Sequence, residues 1–495
     1  MNNQQTSSEK ELRAQLEELI GRDRILDNPA LLDQYSYDHS FVTGRKPLWI
    51  VQVREGKEIQ SLVRWANQTS IPLIPVSSGP PHFRGDTLPF LGGVIVDLSQ
   101  MKGVMRIDRK NRVAMIEPGV RFDELQPELA KQGLRLMLPL CPRSTKSIIA
   151  SYLEREPTLI PKYQWDISDP LCCLEVVFGT GELFRTGSSA GPGGLEEQWS
   201  SGQAQKNPTG PGPSDFLRLV QGAQGTLGIV TWATIRLELL PSIQKLFMVG
   251  CEKIEEIIDF VYWLLRLRLG EECLILNRLN LASIMEKESS LIEELRANLP
   301  DFILLLVIAG YERFPEERVK YQTEDIKELA EKYHLELFTS FPKLEGEKVL
   351  FSLSQPSSEP YWKLRYKGSC AELFFLTTLD QTPQFIKIMR EIIKETGFDE
   401  KALGVYIQPL QQGRCCHLEF DLAYNPYDQT ETTLTKETFI KASKALMSQG
   451  AFFSRPYGIW AEMCQNQYPP NMMALRKIKS IFDPNNVMNP GKIYL

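Results

Sequence analysis

The stretch LEVVFGTGELFRTG, residues 174–187, decides how the first half of this chain folds. Residues 174–178 are mostly apolar with two adjacent β-branched valines, Gly179, Thr180 and Gly181 supply turn residues, and 182–185 extend again, which predicts a β-hairpin. Upstream of it, short apolar strands recur at 48–53, 72–75, 93–98, 104–107 and 112–116, and downstream 222–237 resumes strand character. Helical spacing appears at 9–20, 57–68 and 122–132, the last of these stopped by Gly133. Residues 187–213 are rich in Gly, Pro and Ser without a period, and so long a loop predicts a binding segment rather than a linker.

The middle of the chain changes pattern. Residues 245–340 read as strand, helix, strand, helix, strand, helix, strand, including strands at 301–307 and 335–338 and a helix at 317–333. A similar order follows in 373–377, 384–396, 403–408, 416–422 and 435–448. Split βαβ units of this kind build antiparallel sheets with helices on one face, and two side by side make one broad ferredoxin-like sheet. A helix at 471–481 and a turn-rich end place the C-terminus outside that sheet, back on the first domain. The class is therefore α+β, with domains at 1–240 and 241–455 and a returning segment at 456–495.

Composition narrows the chemistry. With 495 residues, large cores are available, and a net charge of -6 without a basic block argues against nucleic acid as partner. Four histidines (His39, His82, His334 and His417) and no HExxH spacing leave little for a metal site, so none is expected. The nine cysteines contain no CxxC pair and read as reduced thiols of a cytoplasmic protein. The longest apolar run, 257–269, holds Asp259, Arg266 and Arg268 and is too short to span a bilayer; it reads as an amphipathic helix, and no transmembrane segment is expected.

Four segments carry chemistry. Residues 71–86, IPLIPVSSGPPHFRGD, form a strand running into a loop of small and turn residues, which lets backbone N–H groups approach a phosphate. Pro80 and Pro81 remove two of those donors, and His82 and Arg84 could supply charge-assisted bonds instead. The others are EPGV at 117–120, GAQGTLGIVT at 222–231 and FDPNNVMNPGKI at 482–493. Further along, His417, Glu419 and Asp421 alternate on one face of a strand, so His417 could act as a general base tuned by Glu419. Tyr361, Trp362, Lys363, Arg365 and Tyr366 form an aromatic and cationic cluster that could line a pocket.

Taken in order, these segments resemble the FAD-binding flavoproteins of the vanillyl-alcohol oxidase and para-cresol methylhydroxylase type, which include glycolate oxidase and D-lactate dehydrogenase subunits. The resemblance implies a two-part FAD-binding domain, a diphosphate loop at 75–86, and an antiparallel-sheet cap over the flavin ring. It assigns cofactor contacts to Ser77, Ser78, Gly79, His82, Arg84, Gly85, Pro118, Gly119, Ser147, Gly225, Gly228 and Ile229, with FAD held non-covalently. It implies hydride transfer from a small alcohol or hydroxylated aromatic substrate to flavin N5, with oxygen or a protein carrier as electron acceptor, and it is compatible with a homodimer. Arg455 and Tyr457 resemble the pair that holds a phenolate in the phenol-oxidising branch, and Tyr163 matches a segment near the flavin. The D-2-hydroxy-acid branch spends histidines on a metal at two places where this chain offers only His417 and the stretch 454–458, SRPYG. A D-2-hydroxy-acid dehydrogenase subunit and a non-catalytic subunit with weakened FAD binding are the competing readings, the second because 76–81 reads VSSGPP where the family has RGGGTG.

Overall fold

The computed structural model describes residues 2–162, 169–212 and 215–493, with side chains from residue 9 onward, and the counts below are of these residues. The first sheet orders β1 (Ile25–Leu26), β2 (Trp49–Gln52), β4 (Val94–Asp97) and β3 (Leu73–Val76), with β2 and β3 both parallel to β4. The helix Gly56–Thr69 connects β2 to β3 and buries Ile59, Leu62, Val63 and Ala66, a spacing of three and four residues that places them on one face. It ends at Ser70, whose left-handed backbone breaks the helix before the next strand.

The second sheet orders β5 (Val104–Asp108), β6 (Val113–Ile116), β9 (Gly228–Arg236), β7 (Leu171–Phe178) and β8 (Leu183–Arg185). The hairpin expected from 174–187 is present, with Val177 opposite Leu183 and Glu175 opposite Arg185. The 187–213 stretch, expected to bind a ligand, lines neither of the two large cavities described below. Its described part folds onto itself and onto the β5–β6 hairpin: Gln198 donates to the Gly191 carbonyl, Lys206 donates to Asn111, and Arg106 lies over Trp199. Its polar groups are therefore satisfied within the protein.

The third sheet has six antiparallel strands in the order β10 (Ile243–Cys251), β12 (Phe302–Gly310), β11 (Glu272–Asn277), β14 (Leu403–Leu410), β15 (Cys415–Tyr424) and β13 (Ser369–Thr377). The two expected repeats join where Leu276 pairs Tyr406. The predicted strand at 335–338 is instead a single bridge from Phe338 to Met248 on the edge strand, because Leu335 and Leu337 turn toward the helical layer. The apolar run 257–269 supplies the helix Ile258–Arg266, packed on that same layer. Helices were expected on one face only. The first repeat carries them on both, since Arg278–Met285 and Gly346–Leu353 close its second face. The second repeat leaves that face to the first domain, and there β13 and β15 present Glu372, His417, Glu419 and Asp421.

The C-terminal segment packs on the first sheet. Leu73 donates to Val487 and Asn489 donates back to Leu73, while Phe482 stacks on Phe178 at 4.1 Å. Eight cysteines are buried and Cys415 is half-buried, all as free thiols. Among the described residues no helix is long and apolar enough to cross a membrane.

Candidate active site

Two adjoining cavities, of about 950 and 760 Å³, meet in the first domain, and the larger extends between it and the cap. They share Pro75, Ser77, Asp86, Ala150 and Glu154, so their junction is built by the 75–86 loop and the helix Ile148–Leu153. The larger cavity reaches the cap through Tyr361, Lys363, Glu372, Tyr406, Glu419 and Arg455. The smaller lies within the first domain, against Pro118 and residues 222–230. All three segments that the sequence assigns to the cofactor thus meet on one continuous wall.

The loop residues divide by role. Ser77, Ser78, His82 and Arg84 line the larger cavity, and Ser77, Pro118, Gly225, Gly228 and Ile229 line the smaller. Gly79, Gly85, Gly119 and Ser147 line neither, so they shape the site without forming its wall. Gly119 sits among three carbonyls; a Cβ there would lie 2.6 Å from Ser99 O and 2.7 Å from Met101 O. Gly79 is braced by Thr145, Gly85 has a left-handed backbone, and buried Ser147 caps the helix that follows it while bonding Ser78 and Pro118. Gly228 does line the smaller cavity, but it is also confined, with a Cβ at that position 2.4 Å from Val177 O. Gly228→Ala is expected to cost about 1–3 kcal/mol of stability by forcing β7 and β9 apart, measurable by urea unfolding.

Arg84 was expected to bind phosphate. Instead it is held by carboxylates: it pairs with Glu154, with Glu156 at 3.0 Å and with Glu372 at 3.3 Å, tying the first domain to the cap. Lys146 likewise pairs with Glu154 at 2.6 Å and Glu156 at 3.3 Å. Burial pushes Glu156 up, and the nearer cations Lys146 and Arg84 more than reverse that, leaving it well below the usual carboxylate range.

The cap contributes a second charge cluster. Glu372 on β13 lies opposite Asp421 on β15, and Glu419 is two residues away on the same face. Carboxylates so placed repel one another, and Lys363 neutralises them. Its ammonium pairs with Glu372 at 2.7 Å, with Asp421 at 3.1 Å, and with Glu419. One ammonium cannot satisfy three buried carboxylates fully. Burial accordingly raises Asp421 to about 7.

His417 does not line the cavity, which corrects its assignment as general base. The ring is buried, with Nε2 3.1 Å from Glu419 and Nδ1 3.3 Å from Arg455 Nη2. An arginine can only donate, so Nδ1 accepts and Nε2 carries the proton toward Glu419. Burial lowers the imidazole pKa and the ring stays neutral. Both nitrogens are engaged, and the geometry makes His417 a positioning residue for Arg455.

Arg455 itself is 3% exposed, stacks 4.0 Å over the Phe374 ring, and has no carboxylate partner among the described residues. Its Nη1 reaches the Glu154 carbonyl at 3.4 Å and its Nε has no partner. Burial without a counter-charge lowers its pKa to about 10. Tyr457 was expected to share substrate with Arg455; both side chains pack against Phe374, but Arg455 lines the larger cavity and Tyr457 the smaller. Burial pushes its hydroxyl well above the usual range, which disfavours a role as base. Tyr163 lies outside the described residues.

In the aromatic cluster, Tyr361, Trp362 and Lys363 line the larger cavity, whereas Arg365 is occupied by the Ser283, Ile284 and Ser358 carbonyls. Pro139, Leu140, Pro142, Arg143, Asp86, Glu154 and Glu156 also line the site. A lone glutamate inside the otherwise apolar strand 369–377 was a readable signal for Glu372.

The wall fits a flavin dinucleotide. Two adjoining cavities make one elongated site, the shape an extended dinucleotide needs. Five buried polar atoms on residues lining the larger one have no protein partner: His82 Nε2, Thr87 Oγ1, Arg143 Nε, Trp362 Nε1 and Arg455 Nε. Buried donors and acceptors left over in this way are waiting for a ligand or water. The fold and the wall together define a flavin-dependent oxidoreductase.

Comparison with known proteins agrees. Residues 47–187 match the FAD binding domain family, and 459–493 match the C-terminal domain of FAD linked oxidases. An uncharacterised FAD-linked oxidoreductase of Mycobacterium tuberculosis is 21% identical, covering 98% of this chain and 99% of its own. The D-lactate dehydrogenase of Anaerostipes hadrus is 22% identical over 96% of this chain and 95% of its own. The crystal structure of p-cresol methylhydroxylase with substrate bound superposes with a TM-score of 0.83 at 19% identity, covering 98% of this chain and 96% of that one. The chain therefore carries an FAD binding domain and the C-terminal domain of FAD linked oxidases, shares the fold of p-cresol methylhydroxylase, and has FAD as its cofactor.

Proposed function

We propose that this protein is a metal-independent dehydrogenase of a small hydroxylated aromatic substrate, held as its phenolate by Arg455. The observation that carries the reading is a buried guanidinium on the cavity wall with no carboxylate partner and one unpartnered N–H. Such a group costs stability unless an anion joins it, and a bound phenolate or carboxylate supplies that anion. FAD, when bound, accepts the hydride. Arg455 stabilises the negative oxygen, and His417 and Phe374 fix the plane of its guanidinium. With the substrate oxygen already ionised, electron density moves into the ring as hydride leaves, so no protein base is required at the carbon. That agrees with a cavity in which His417 is turned away and the Lys363 carboxylates are paired. Tyr361, Trp362 and Tyr406 provide flat apolar walls suited to an aromatic ring.

One contact favours arginine over a metal at this place. Where the resemblance sets metal-binding motifs, His417 faces the cation of Arg455 instead.

A second reading, a D-2-hydroxy acid as substrate, is favoured by Arg143. This residue also lines the larger cavity, with its Nε unpartnered, and two guanidiniums could share a carboxylate. Titrating the holoprotein with 4-bromophenol and with oxalate separates the two. The phenol is expected to perturb the visible flavin spectrum more strongly as pH rises toward its own ionisation, and a response to oxalate alone would favour the second reading. His417→Ala is expected to raise KM by less than loss of Arg455 does. It should leave the pH profile between about 7 and 8 without a lost ionisation, since burial lowers the imidazole below its usual range; steady-state kinetics across that range checks both.

A further inference from the structure

A flavin dinucleotide that fills both cavities must cross their junction. Its isoalloxazine end belongs in the larger cavity, the one that reaches the cap, and its adenosine end in the smaller, so the ribityl-diphosphate is the part that crosses. Two side chains with charge are common to both cavities: Asp86 and Glu154. Both are carboxylates, on the wall that must take a dianionic diphosphate.

Glu154 is neutralised where it stands, by Arg84 and by Lys146. Asp86 is different. Its carboxylate makes no ion pair and no side-chain hydrogen bond among the described residues; only its backbone carbonyl is used, by Asn489. The charged and titratable groups around it come from every neighbouring element. They are Arg84 on its own loop, Asp38, Lys146 and Glu154 on the facing segment, Tyr457 after the cap, and Lys492 on the returning C-terminus. Arg84 and Lys146 are already engaged by Glu154, Glu156 and Glu372, so carboxylates outnumber cations here and Asp86 is left without a cation of its own. Lys492 donates instead to the Gly85 carbonyl at 2.6 Å, and Asp38 accepts from the Gly85 N–H at 2.7 Å.

We propose that Asp86 is a cofactor-binding residue that works in its protonated form, its carboxyl group donating a hydrogen bond to the ribityl-diphosphate of FAD. As a carboxylate it could only accept, and it would repel the phosphates. As a carboxylic acid it gains a donor of the kind phosphate oxygens need. The proton is taken from water as FAD binds, so cofactor loading is linked to pH. Burial and Glu154 already raise the free carboxyl to about 6, and added phosphate charge raises it further. The linkage follows in sign. Below that pH the proton is present in both free and bound protein and affinity is constant; above it, binding must recruit a proton and weakens.

The test is equilibrium FAD binding to the full-length chain, followed by quenching of flavin fluorescence from about pH 5 to 8.5. Kd is expected to be flat at the acid end and to rise about tenfold per pH unit above about 6. Asp86→Asn should remove that slope and hold FAD at about pH 8 as tightly as the unsubstituted protein does at about pH 5. Calorimetry of the unsubstituted protein, in two buffers of different ionisation enthalpy, should find close to one proton taken up per FAD at about pH 7.5, whether or not the variant folds. A flat profile, an unchanged slope in Asp86→Asn, or no proton uptake overturns the proposal. So does tightening at about pH 8 by millimolar Mg2+, which would mean that a bridging cation rather than a proton neutralises the junction. None of these outcomes depends on which substrate the enzyme oxidises.

Discussion

Replacing Arg455 by methionine is expected to lower kcat/KM for a phenolate or carboxylate substrate about ten- to a hundred-fold, with stability changed by no more than about 1 kcal/mol. The two effects separate because the guanidinium is buried without a counter-charge. In the free enzyme its desolvation is offset only by the stack on Phe374, the bond to His417 and a long contact to the Glu154 carbonyl. Methionine fills similar volume and needs no partner, so folding loses little, while the charge-assisted bond to substrate, about 1.5–3 kcal/mol, is lost. Arg455→Lys should recover part of the activity, because the charge returns but the flat stack and the bond to His417 do not. Stopped-flow reduction of the flavin beside urea unfolding of both variants measures the split. A methionine variant with unchanged kcat/KM would remove Arg455 from the site.

Lys363→Met is expected to act in the opposite manner, on the fold first. Removing the ammonium leaves Glu372, Glu419 and Asp421 facing one another in the buried sheet, with Arg84 reaching only Glu372. Breaking a buried pair in this way costs about 3–5 kcal/mol. The loss should shrink on acidification. Without Lys363 the three carboxylates have folded-state pKa values above their unfolded ones, so the folded variant binds more protons than the unfolded chain. Its stability therefore falls as pH rises from about 4 to 8. Urea unfolding at several pH values reads this directly. A variant as stable as the unsubstituted protein at neutral pH would show that the cluster is open to water.

Much of the fold is legible because the core obeys simple periods. The 174–187 hairpin, the 57–68 helix and the repeated order of the cap all follow from alternation and from three-four spacing, and the structure keeps each nearly where the residues put it. The failures have local causes. Residues 335–338 look like a strand, but their leucines pack against helices beside an edge strand and only Phe338 pairs. Residues 187–213 look like a free binding loop, yet the described part, 187–212, bonds polar groups within itself.

The site is legible in position more than in role. Strand alternation places His417, Glu419 and Asp421 on one face, and they do share the face toward the cofactor domain. What alternation does not contain is the partner across the sheet. Arg455 occupies the nitrogen that a base would use, and Lys363, fifty-six residues before Glu419, ties up the carboxylate. Arg84 fails as a phosphate ligand for the same reason, because its three carboxylates come from residues 154, 156 and 372. Charge partners so distant in sequence become visible only once the chain is folded.

In the proposed reading, Arg455 serves the cavity at the place where the hydroxy-acid branch would spend histidines on a metal. The most direct test is anaerobic bleaching of the flavin in EDTA-treated holoprotein by 4-ethylphenol, an aryl alcohol, glycolate and D-lactate. The account predicts rapid bleaching by the phenol or the aryl alcohol, at a rate that EDTA does not change. Bleaching by the hydroxy acids alone, abolished by EDTA and restored by a divalent metal, would contradict it.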